Sequence, residues 1–565
     1  MKPCIMSLAY LIEPANTVRG MFEFARKNGI DGIDFCQTHT LDVSLAEIKK
    51  MCADYGVKAV CHTVFNDVNA PGMTQDKWMD NTKDIIEKLI PDVLKELDPH
   101  SVYIPAKEME KTMEEMEGSF SGVGIQFNIR EDTIRVISVI NGGPAEQAGM
   151  RAGDCIVSVD DSVFVGDKIN NDLVLKTLRG PKHSKVKVGI ARRGTEEILP
   201  FTLVRDDIPL TSVDASYKIG ENIAYIKVGS FSRTTYDEFL NKMVKLKQVD
   251  HCDRLILDLR SNPGGLMGAA LAILNEFLPK NRLMLYVEGK SYPREESYSD
   301  GRGSFKDMPV VILMDEWSAS ASEIVAGSIQ DNDRGYIVGR RSYGKGLVQQ
   351  QIPFKDKSAV RLTVAHYYVP SGRSIQKPYT KGDFEDYELD IVRRWERGEF
   401  GSLDSIHLDD SLCFETRGGR RVYGGGGILP DYFVPLDTTS NQNDWFVDVA
   451  NKNLIYNFAA SYVDAHRAAL LQQKTVAELK SYLQAQDIFT QFVRYTREKG
   501  VKSTASQTRE VQKEVQLQLN AYIARNTMGE DIFWELLQED DKTLLKAIEL
   551  IQTMDNNVAD DKAAE

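Results

Sequence analysis

The middle of the chain alternates short apolar runs with turn residues and helical patterns. Residues 310–314 are apolar throughout, which predicts a buried strand, and residues 322–330 then follow a helical pattern. Residues 255–259 form a second apolar run, which is followed by Asn262-Pro-Gly-Gly and then by a helical pattern over residues 266–274. These two strand–turn–helix units predict an α/β core in which both turns lie at a sheet edge.

The regions on either side of this core have different patterns. Residues 121–160 alternate apolar and polar positions around glycine turns, as a small half-open barrel requires. From about residue 441 onward, apolar residues recur at spacings of three and four, which indicates helices. Residues 1–72 predict strand, helix, strand, helix and strand. The sequence therefore predicts a multidomain α/β protein with a helical C-terminal module.

The turn after the apolar run 310–314 carries candidate catalytic chemistry. It contains Ser318-Ala-Ser-Ala-Ser-Glu, and further on Lys345 stands between two glycines. A serine hydroxyl is a poor nucleophile unless a neighbour takes its proton, and a desolvated, neutral lysine can do so. A serine at the N-terminus of a helix also lies beside unpaired backbone N–H groups, which can stabilise an oxyanion.

Two plainer interpretations compete with this one. Ser318-Ala-Ser-Ala-Ser could be only an N-cap built from small residues. A Ser-His-Asp triad is also open in principle because its members meet in space, but none of the eight histidines lies within these motifs. His366, in the alternating run 360–369, is predicted to be an ordinary strand residue.

Four motifs in one order resemble the carboxyl-terminal processing, or tail-specific, serine proteases. They are the strand with Asn262-Pro-Gly-Gly, the serine turn with Glu323, the Asp331-Asn-Asp-Arg stretch, and Gly344-Lys-Gly-Leu-Val-Gln. The resemblance implies a protease core of crotonase-like ββα units and no metal or organic cofactor.

The same resemblance assigns roles to single residues. The family's serine precedes its lysine by twenty-five positions, which makes Ser320 the nucleophile and Lys345 the general base. Gln349 corresponds to a glutamine that orients the lysine amine. Asp331 matches an acidic position that supports the site in some members.

The family's oxyanion hole is implied to use two backbone N–H groups. One belongs to the residue after the serine, here Ala321, and the other to the Asn262-Pro-Gly-Gly turn, where Gly264 and Gly265 are both candidates.

The upstream glycine turns resemble a PDZ domain of the kind fused to such proteases. Ser121-Gly-Val-Gly-Ile is followed by the helix start Gly143-Pro-Ala-Glu and by a Gly-Asp strand turn. PDZ domains add an extended peptide to a sheet edge and capture its terminal carboxylate on backbone N–H groups. The resemblance makes Gly122, Val123, Gly124 and Ile125 the carboxylate-binding loop, and implies polypeptide substrates with exposed C-termini.

We therefore predict five parts along the chain. The sequence leaves open whether the last of them packs on the protease core, self-associates or binds an adaptor. The five parts are a TIM-barrel-like βα fragment (residues 1–72), an N-terminal helical part of the protease core (74–116), a PDZ domain (117–204), the catalytic core (205–437), which includes a charged and aromatic insertion at 377–424 expected to be solvated, and a helical C-terminal module (438–565).

The N-terminal fragment departs from the protease family. It is similar to the first two repeats of a xylose isomerase-type TIM barrel, which cannot close by themselves. A joined reading frame, an engineered fusion and an accessory βα module are the three accounts of it. His62, Asp34 and His39 would line a metal site in a complete barrel, and we assign them no role here.

Composition bounds the partners and the compartment. The net charge of −14 argues against a nucleic-acid partner, whose phosphates require a basic surface. No run of eighteen apolar residues is present, so we expect no transmembrane segment. No signal peptide is visible, whereas the resemblance implies a periplasmic or otherwise exported protein. The seven cysteines have no metal-ligand spacing, so we predict no metal site and no disulfide framework.

The sequence thus favours a serine endopeptidase that recognises polypeptides by their C-terminal tails. One alternative is a catalytically silent or gated scaffold that binds peptides through its PDZ domain, although both Ser320 and Lys345 are present. A lesser alternative is a sugar isomerase-like activity of residues 1–72.

Overall fold

In this computed structural model the chain forms two compact units, Met1–Pro105 and Ala106–Glu565. The described residues are 4–6, 18–27, 32–36, 45–55, 58–63, 90–91, 93–130, 132–140, 142–192, 194–438 and 440–554.

The first unit contains a parallel sheet in which three strands lie in chain order, β1-β2-β3. The alternation predicted for residues 1–72 is therefore present, although His39 lies outside the described residues. Residues 74–89 of the expected helical segment also lie outside them. The elements are β1 (Cys4–Met6), α1 (Val18–Lys27), β2 (Gly32–Cys36), α2 (Leu45–Tyr55), β3 (Lys58–Thr63) and β4 (Val102–Ile104).

The second unit begins with a helix and a small antiparallel sheet domain, the PDZ-like domain (residues 117–204). Its main sheet has the order β11-β10-β8-β7-β6, so β6 ends the described sheet. Alternating apolar residues such as Ile134, Val136 and Ile156 are buried inside it. The elements are α3 (Ala106–Glu117), β5 (Ser119–Gly122), β6 (Ile125–Arg130), β7 (Thr133–Val139), α4 (Pro144–Gln147), β8 (Cys155–Val159), β9 (Ser162–Val163), α5 (Asn171–Leu178), β10 (Lys185–Ala191) and β11 (Leu199–Val204).

The core that follows is built on a six-stranded sheet of order β13-β14-β15-β18-β19-β24. From β14 to β24 the strands are parallel, so their carboxyl ends meet at one edge. Buried residues of α6, α7 and α8 join the main apolar cluster of this core. The elements are β12 (Asp206–Pro209), β13 (Val213–Ile219), β14 (Ile223–Val228), α6 (Thr235–Gln248), β15 (Arg254–Asp258), α7 (Met267–Phe277), β16 (Leu283–Gly289), β17 (Tyr292–Tyr298), β18 (Val310–Met314), α8 (Ala321–Asp331) and β19 (Tyr336–Gly339).

A second sheet, with order β17-β16-β21-β20, stands beside the first. His366 lies in its strand β21, as predicted for a strand residue, and burial lowers its pKa. The insertion (residues 377–424) and the closing strand complete the core. The elements are β20 (Leu347–Pro353), β21 (Ala359–Tyr368), α9 (Phe384–Glu388), α10 (Asp390–Glu396), β22 (Cys413–Glu415), β23 (Arg421–Tyr423) and β24 (Tyr432–Phe433), with single 3-10 turns at Leu403–Ser405 and Asp410–Leu412.

The C-terminal helical module packs on two surfaces of its own unit. Its last helix, α18, covers the outer face of the six-stranded sheet with Leu544, Ala547 and Ile551. Asp464 of α12 forms an ion pair with Arg135 of the PDZ-like domain. The helices are α11 (Asp444–Asn451), α12 (Leu454–Leu470), α13 (Val476–Ala485), α14 (Ile488–Glu498), α15 (Ala505–Glu510), α16 (Gln512–Arg525), α17 (Glu530–Leu537) and α18 (Lys542–Thr553), after a 3-10 turn at Ser440–Gln442.

These elements confirm the predicted multidomain α/β class with a helical C-terminal region. Among the described helices, none combines the length and the apolar character that crossing a membrane would need.

Candidate active site

The serine turn (residues 318–322) joins β18 to α8 at the carboxyl edge of the parallel sheet. Ser320 is the N-cap of α8 and has φ 55° and ψ −113°. This conformation is costly for a residue with a side chain and recurs where a nucleophile is presented on a sharp strand-to-helix turn. The turn therefore holds Ser320 in a strained position at the start of a helix.

The three serines of this turn differ in accessibility. Ser318 and Ser322 are 0% exposed. The Ser318 Oγ donates to the Leu259 carbonyl at 2.8 Å, and the Ser322 Oγ donates to the Asn262 carbonyl at 3.0 Å. Ser320 is only half-buried. The flanking serines thus fasten the turn to the neighbouring strand, while Ser320 is the accessible one.

Lys345 lies in the lysine loop (residues 342–346), which leads into β20, and it is half-buried. The Tyr343 N–H donates to the Ser318 carbonyl at 3.0 Å, so this loop is bonded directly to the serine turn. On its other side the Gly346 N–H donates to the Gln376 side chain at 2.9 Å. Gln349 follows in β20, opposite Thr363 of β21.

Glu323 ties the two loops together from inside the protein. It is 0% exposed, and its Oε2 accepts from the N–H of Ser320 at 2.8 Å and from the N–H of Lys345 at 2.9 Å. Its Oε1 accepts from the Gly344 N–H at 2.7 Å and the Ser342 hydroxyl at 2.5 Å. Burial raises the pKa of Glu323, against the four donors, which favour the carboxylate. One carboxylate oxygen therefore makes the backbones of Ser320 and Lys345 immediate neighbours.

Tyr367 of β21 makes the complementary connection. Its ring is buried, and its hydroxyl donates to the carbonyl of Ser320 at 3.0 Å and also to the carbonyl of Lys345. Burial raises the pKa of Tyr367 well above its ordinary value, so the hydroxyl keeps its proton. Glu323 thus binds the N–H groups of both residues, and Tyr367 binds their carbonyls.

The sequence alone assigned no role to Glu323 or Tyr367. Glu323 did carry a signal, because a glutamate three positions after an N-cap serine is typical of a capping box, in which it reaches back to the N-cap N–H. Tyr367 carried none, since a hydroxyl that binds two distant backbone carbonyls leaves no spacing in the sequence.

The glycine turn (residues 262–265) lies against the serine turn. The Asn262 carbonyl accepts from the Ala319 N–H at 3.0 Å. Gly264 has φ 97°, and a Cβ on it would lie 2.8 Å from the Ala321 nitrogen. The Gly264 N–H donates to the Asn262 side chain at 2.8 Å. A Cβ on Gly265 would lie 2.1 Å from the Phe231 carbonyl oxygen, so neither position has room for a side chain.

The structure does not bring Asp331 to Ser320 and Lys345. It ends α8, eleven residues after Ser320, which corresponds to about 16 Å along a helix. Its carboxylate accepts from Arg373 at 2.8 Å and from the Ser371 N–H at 3.0 Å, and both members of the ion pair are 0% exposed. Asp331 therefore fixes the segment around Arg373 at the far end of the helix.

The insertion (residues 377–424), which was expected to be solvated, instead packs against the lysine loop. Arg394 of α10 is buried and donates to the carbonyls of Arg341 at 2.7 Å and Ser342 at 3.0 Å. Its Nε also donates to Glu399 at 3.3 Å. Burial lowers the pKa of Arg394 to about 10, which leaves it charged at neutral pH.

The predicted carboxylate loop of the PDZ-like domain lies between β5 and β6. The Val123 carbonyl accepts from the Ala145 N–H, and the Gly124 carbonyl accepts from the Ile140 N–H, each at 2.9 Å. Gly122 ends β5 and Ile125 begins β6, which borders the described sheet. The loop is thereby fixed at the start of the sheet-edge strand.

Three segments of the chain match known protein families. Residues 222–386 match the model of peptidase family S41, residues 121–201 match the PDZ domain model, and residues 445–529 match the model of a family of unknown function (DUF8443).

Two curated relatives are carboxy-terminal-processing proteases, and part of the chain is also similar to a solved structure. A carboxy-terminal-processing protease of Bartonella bacilliformis is 34% identical over 55% of this chain and 72% of that protein. One from Synechocystis sp. is 36% identical over 46% of this chain and 61% of that protein, so the chain spans less than two thirds of it. The solved photosystem II D1 C-terminal processing protease is 28% identical, with a TM-score of 0.31, over 56% of this chain and 83% of that one.

The family matches and the relatives define a serine-type peptidase that carries a PDZ domain. The chain belongs to the carboxy-terminal-processing proteases of peptidase family S41.

Proposed function

We propose that this protein is a serine endopeptidase with a Ser320–Lys345 dyad. The observation that carries the proposal is the double connection between these residues: Glu323 binds both backbone N–H groups and Tyr367 binds both carbonyls. Such a connection fixes a nucleophile and a base relative to each other before substrate arrives. Gln349, on the strand that leaves the lysine loop, is proposed to orient the amine.

In the proposed mechanism, neutral Lys345 takes the proton of Ser320 as its Oγ attacks the peptide carbonyl. The oxyanion then accepts from the N–H groups of Ala321 and of the glycine turn. We favour Gly265 over Gly264 as the second donor, because the Gly264 N–H already donates to Asn262. Lysine returns the proton to the leaving amine, and water hydrolyses the acyl-enzyme by the same route.

Substrate selection is proposed to depend on the C-terminal tail. Residues Gly122–Ile125 would capture the terminal carboxylate, and the tail would pair with β6. A protein of this family that acts on exposed tails is proposed to work outside the cytoplasm. Binding of an adaptor or self-association through the C-terminal helices stays a prediction.

The test is cleavage of a disordered reporter protein that ends in an apolar tail, with and without a metal chelator. We expect chelator-resistant cleavage, lost by at least about a thousandfold in Ser320→Ala and in Lys345→Ala. The matched controls Ser328→Ala, buried in the same helix, and Lys355→Ala, exposed on the β20–β21 turn, should cleave like wild type. A reporter whose C-terminus is amidated should show a higher KM.

Each other outcome would favour a different function for this protein. Cleavage that survives in Ser320→Ala would refute the nucleophile. Binding of the tail without cleavage by wild type would favour a silent or gated scaffold. Activity that requires a divalent metal would revive the isomerase-like alternative for residues 1–72.

A further inference from the structure

The C-terminal helical module reaches the strand end that carries the glycine turn. Arg260, two residues before Asn262, donates through Nη1 to Asp541 Oδ2 at 2.5 Å. Through Nη2 it donates to Asp258 at 2.6 Å. Asp258 belongs to β15 of the protease core, whereas Asp541 lies between α17 and α18. The Arg260 guanidinium is therefore shared between the core and the C-terminal helical module.

A second set of buried contacts reinforces this junction. Gln538, which ends α17, donates to the Tyr225 hydroxyl at 2.7 Å and accepts from the Tyr217 hydroxyl at 2.7 Å. Tyr225 in turn donates to Asp258 at 2.7 Å. Burial alone would raise the pKa of Asp258, but Arg260 and Lys227 hold it well below the usual range. The carboxylate at the end of β15 is thus charged and anchored from two sides.

The same junction controls the backbone that enters the glycine turn. The Arg260 N–H donates to Asp258 at 2.9 Å, and its carbonyl accepts from Lys227 Nζ at 3.0 Å. The next residue, Ser261, has φ 60° and donates through its N–H to Asp315 at 2.9 Å. Asp258 thus binds both the Arg260 guanidinium and the Arg260 N–H, directly before the positive-φ backbone that leads to Asn262.

We propose that Asp541 is a positioning residue for the oxyanion donors of the glycine turn, and that the C-terminal helical module is part of the catalytic unit. The proposal rests on the proposed function of the glycine turn. Asp541 acts through Arg260: it holds the guanidinium in one orientation and thereby fixes the backbone from Arg260 to Gly265. The module would then raise turnover without touching substrate.

Asp541 can be altered with little effect on its other task. Its Oδ1 caps α18 by accepting from the N–H groups of Thr543 at 2.9 Å and Leu544 at 3.0 Å. Asparagine is an equally good N-cap, so Asp541→Asn keeps the cap and removes the charged partner of Arg260. Asp540→Asn is the matched control, since Asp540 pairs with Lys513 at 2.5 Å on the surface.

The experiment compares kcat and KM of the full-length variants on the tailed reporter, together with the affinity of a peptide boronic acid, which mimics the tetrahedral intermediate. We expect Asp541→Asn to lower kcat about five- to tenfold with KM unchanged, and to weaken boronate binding by a similar factor. Arg260→Lys, which keeps the charge but cannot bind both carboxylates at once, should show the same pattern. Asp540→Asn should match wild type.

Three results would overturn the proposal, and they are distinguishable. Equal kcat in Asp541→Asn and Asp540→Asn would refute the positioning role while leaving the protease intact. If Asp541→Asn lost activity and also lost tail-peptide binding and melting temperature, Asp541 would be needed for folding only. Failure of wild type to cleave would refute the proposed function and this inference with it.

Discussion

At the scale of single residues, the absence of a side chain at Gly264 allows the glycine turn to lie close to the serine turn. Gly264 has φ 97°, and a Cβ there would lie 2.7 Å from the Ser320 Cβ and 2.7 Å from the Ala319 oxygen. A positive φ is already unfavourable for an L-residue, and contacts this short force a shift. The glycine turn can lie this close to Ser320 only because residue 264 carries a hydrogen atom in place of a side chain.

Gly264→Ala is expected to displace Ser320 or the turn. We predict at least a tenfold fall in kcat/KM and a loss of roughly 1–3 kcal/mol in the free energy of unfolding. Steady-state cleavage and thermal unfolding of the purified variant measure the two effects.

Gly268→Ala is the control four residues further on. Gly268 lies in α7, and a Cβ there meets nothing within 4 Å among the described residues. Alanine should stabilise the helix by about 0.5–1 kcal/mol and leave cleavage unchanged. Wild-type kinetics in Gly264→Ala would show that the close approach does not matter for catalysis.

Asp331 provides a second prediction at this scale. Asp331→Asn leaves the fully buried Arg373 without its charged partner, which costs about 3–5 kcal/mol of stability. We expect a lower melting temperature but nearly unchanged kcat at temperatures where the variant is folded. A large fall in kcat of the folded variant would instead restore the supporting catalytic role that the family resemblance implied.

Sequence could nominate Ser320 and Lys345 because motif order and spacing are linear properties. It could not show that Tyr367 binds the carbonyls of both residues, or that Arg394 binds two carbonyls shortly before Lys345, because every residue possesses a carbonyl group. It also placed Asp331 in the site by analogy, without the helix length that carries this residue away from Ser320. Contacts to the backbone are invisible to a search for side-chain types.

At the scale of elements, the insertion works as a brace for the lysine loop. Arg394 of α10 supplies two hydrogen bonds to carbonyls just before Lys345, and Lys377 packs between the rings of Tyr343 and Tyr387 at 4.2 and 4.1 Å. Burial lowers the pKa of Lys377, and Asp390, 3.1 Å away, opposes that shift. The loop is thus held from the insertion on one side and from Glu323 on the other.

Arg394→Met is expected to release this brace. One buried and one half-buried carbonyl lose their donor, which costs roughly 2–4 kcal/mol, and we predict at least a fivefold fall in kcat as the lysine loop loosens. Turnover should be measured at low temperature, with near-UV circular dichroism to verify folding.

Arg393→Met is the matched control on the same helix. Arg393 is more than a third exposed and pairs with Asp386, so stability should change by no more than about 0.5 kcal/mol and turnover should stay at the wild-type level. Equal kinetics in both variants would mean that the insertion does not influence the loop.

Elements with a strong hydrophobic pattern were predicted well, because the way they pack requires that pattern. The run 310–314 is β18 to the residue, because a central strand buried on both faces has to be apolar throughout. The insertion lacked such a pattern: its helices are short, and its buried positions mix apolar residues such as Phe400 with charged residues such as Arg394 and Glu399. Polar residues that are buried in pairs look like surface residues in a sequence.

At the scale of the whole molecule, the six-stranded sheet is covered on both faces by parts of the chain far apart in sequence. The outer face presents Tyr225, Ile256 and Leu313, and α18 covers it. An apolar stripe on a helix predicts that this face is buried, but it does not predict which surface covers it. The sequence therefore left open what the C-terminal helices pack against.

Ala547→Asp tests this cover. Ala547 is 0% exposed against the sheet, so the substitution buries a carboxylate and should cost at least about 3 kcal/mol, with a matching fall in the urea midpoint. Leu545→Asp is the control on the same helix, because Leu545 is 49% exposed and an acidic residue near the helix start is tolerated. Equal destabilisation by both substitutions would contradict the packing of α18.

The pairing of Arg260 with Asp541 joins residues 281 positions apart, and this has a consequence for synthesis on the ribosome. The core strands and the serine turn are made before α18, so the nascent chain exposes the apolar outer face of the sheet from the time its strands form until α18 is made. If the last helices complete the oxyanion site, the growing polypeptide is also spared from digesting itself or its neighbours. The order of synthesis along the chain would then delay proteolytic activity until Asp541 and α18 have been made.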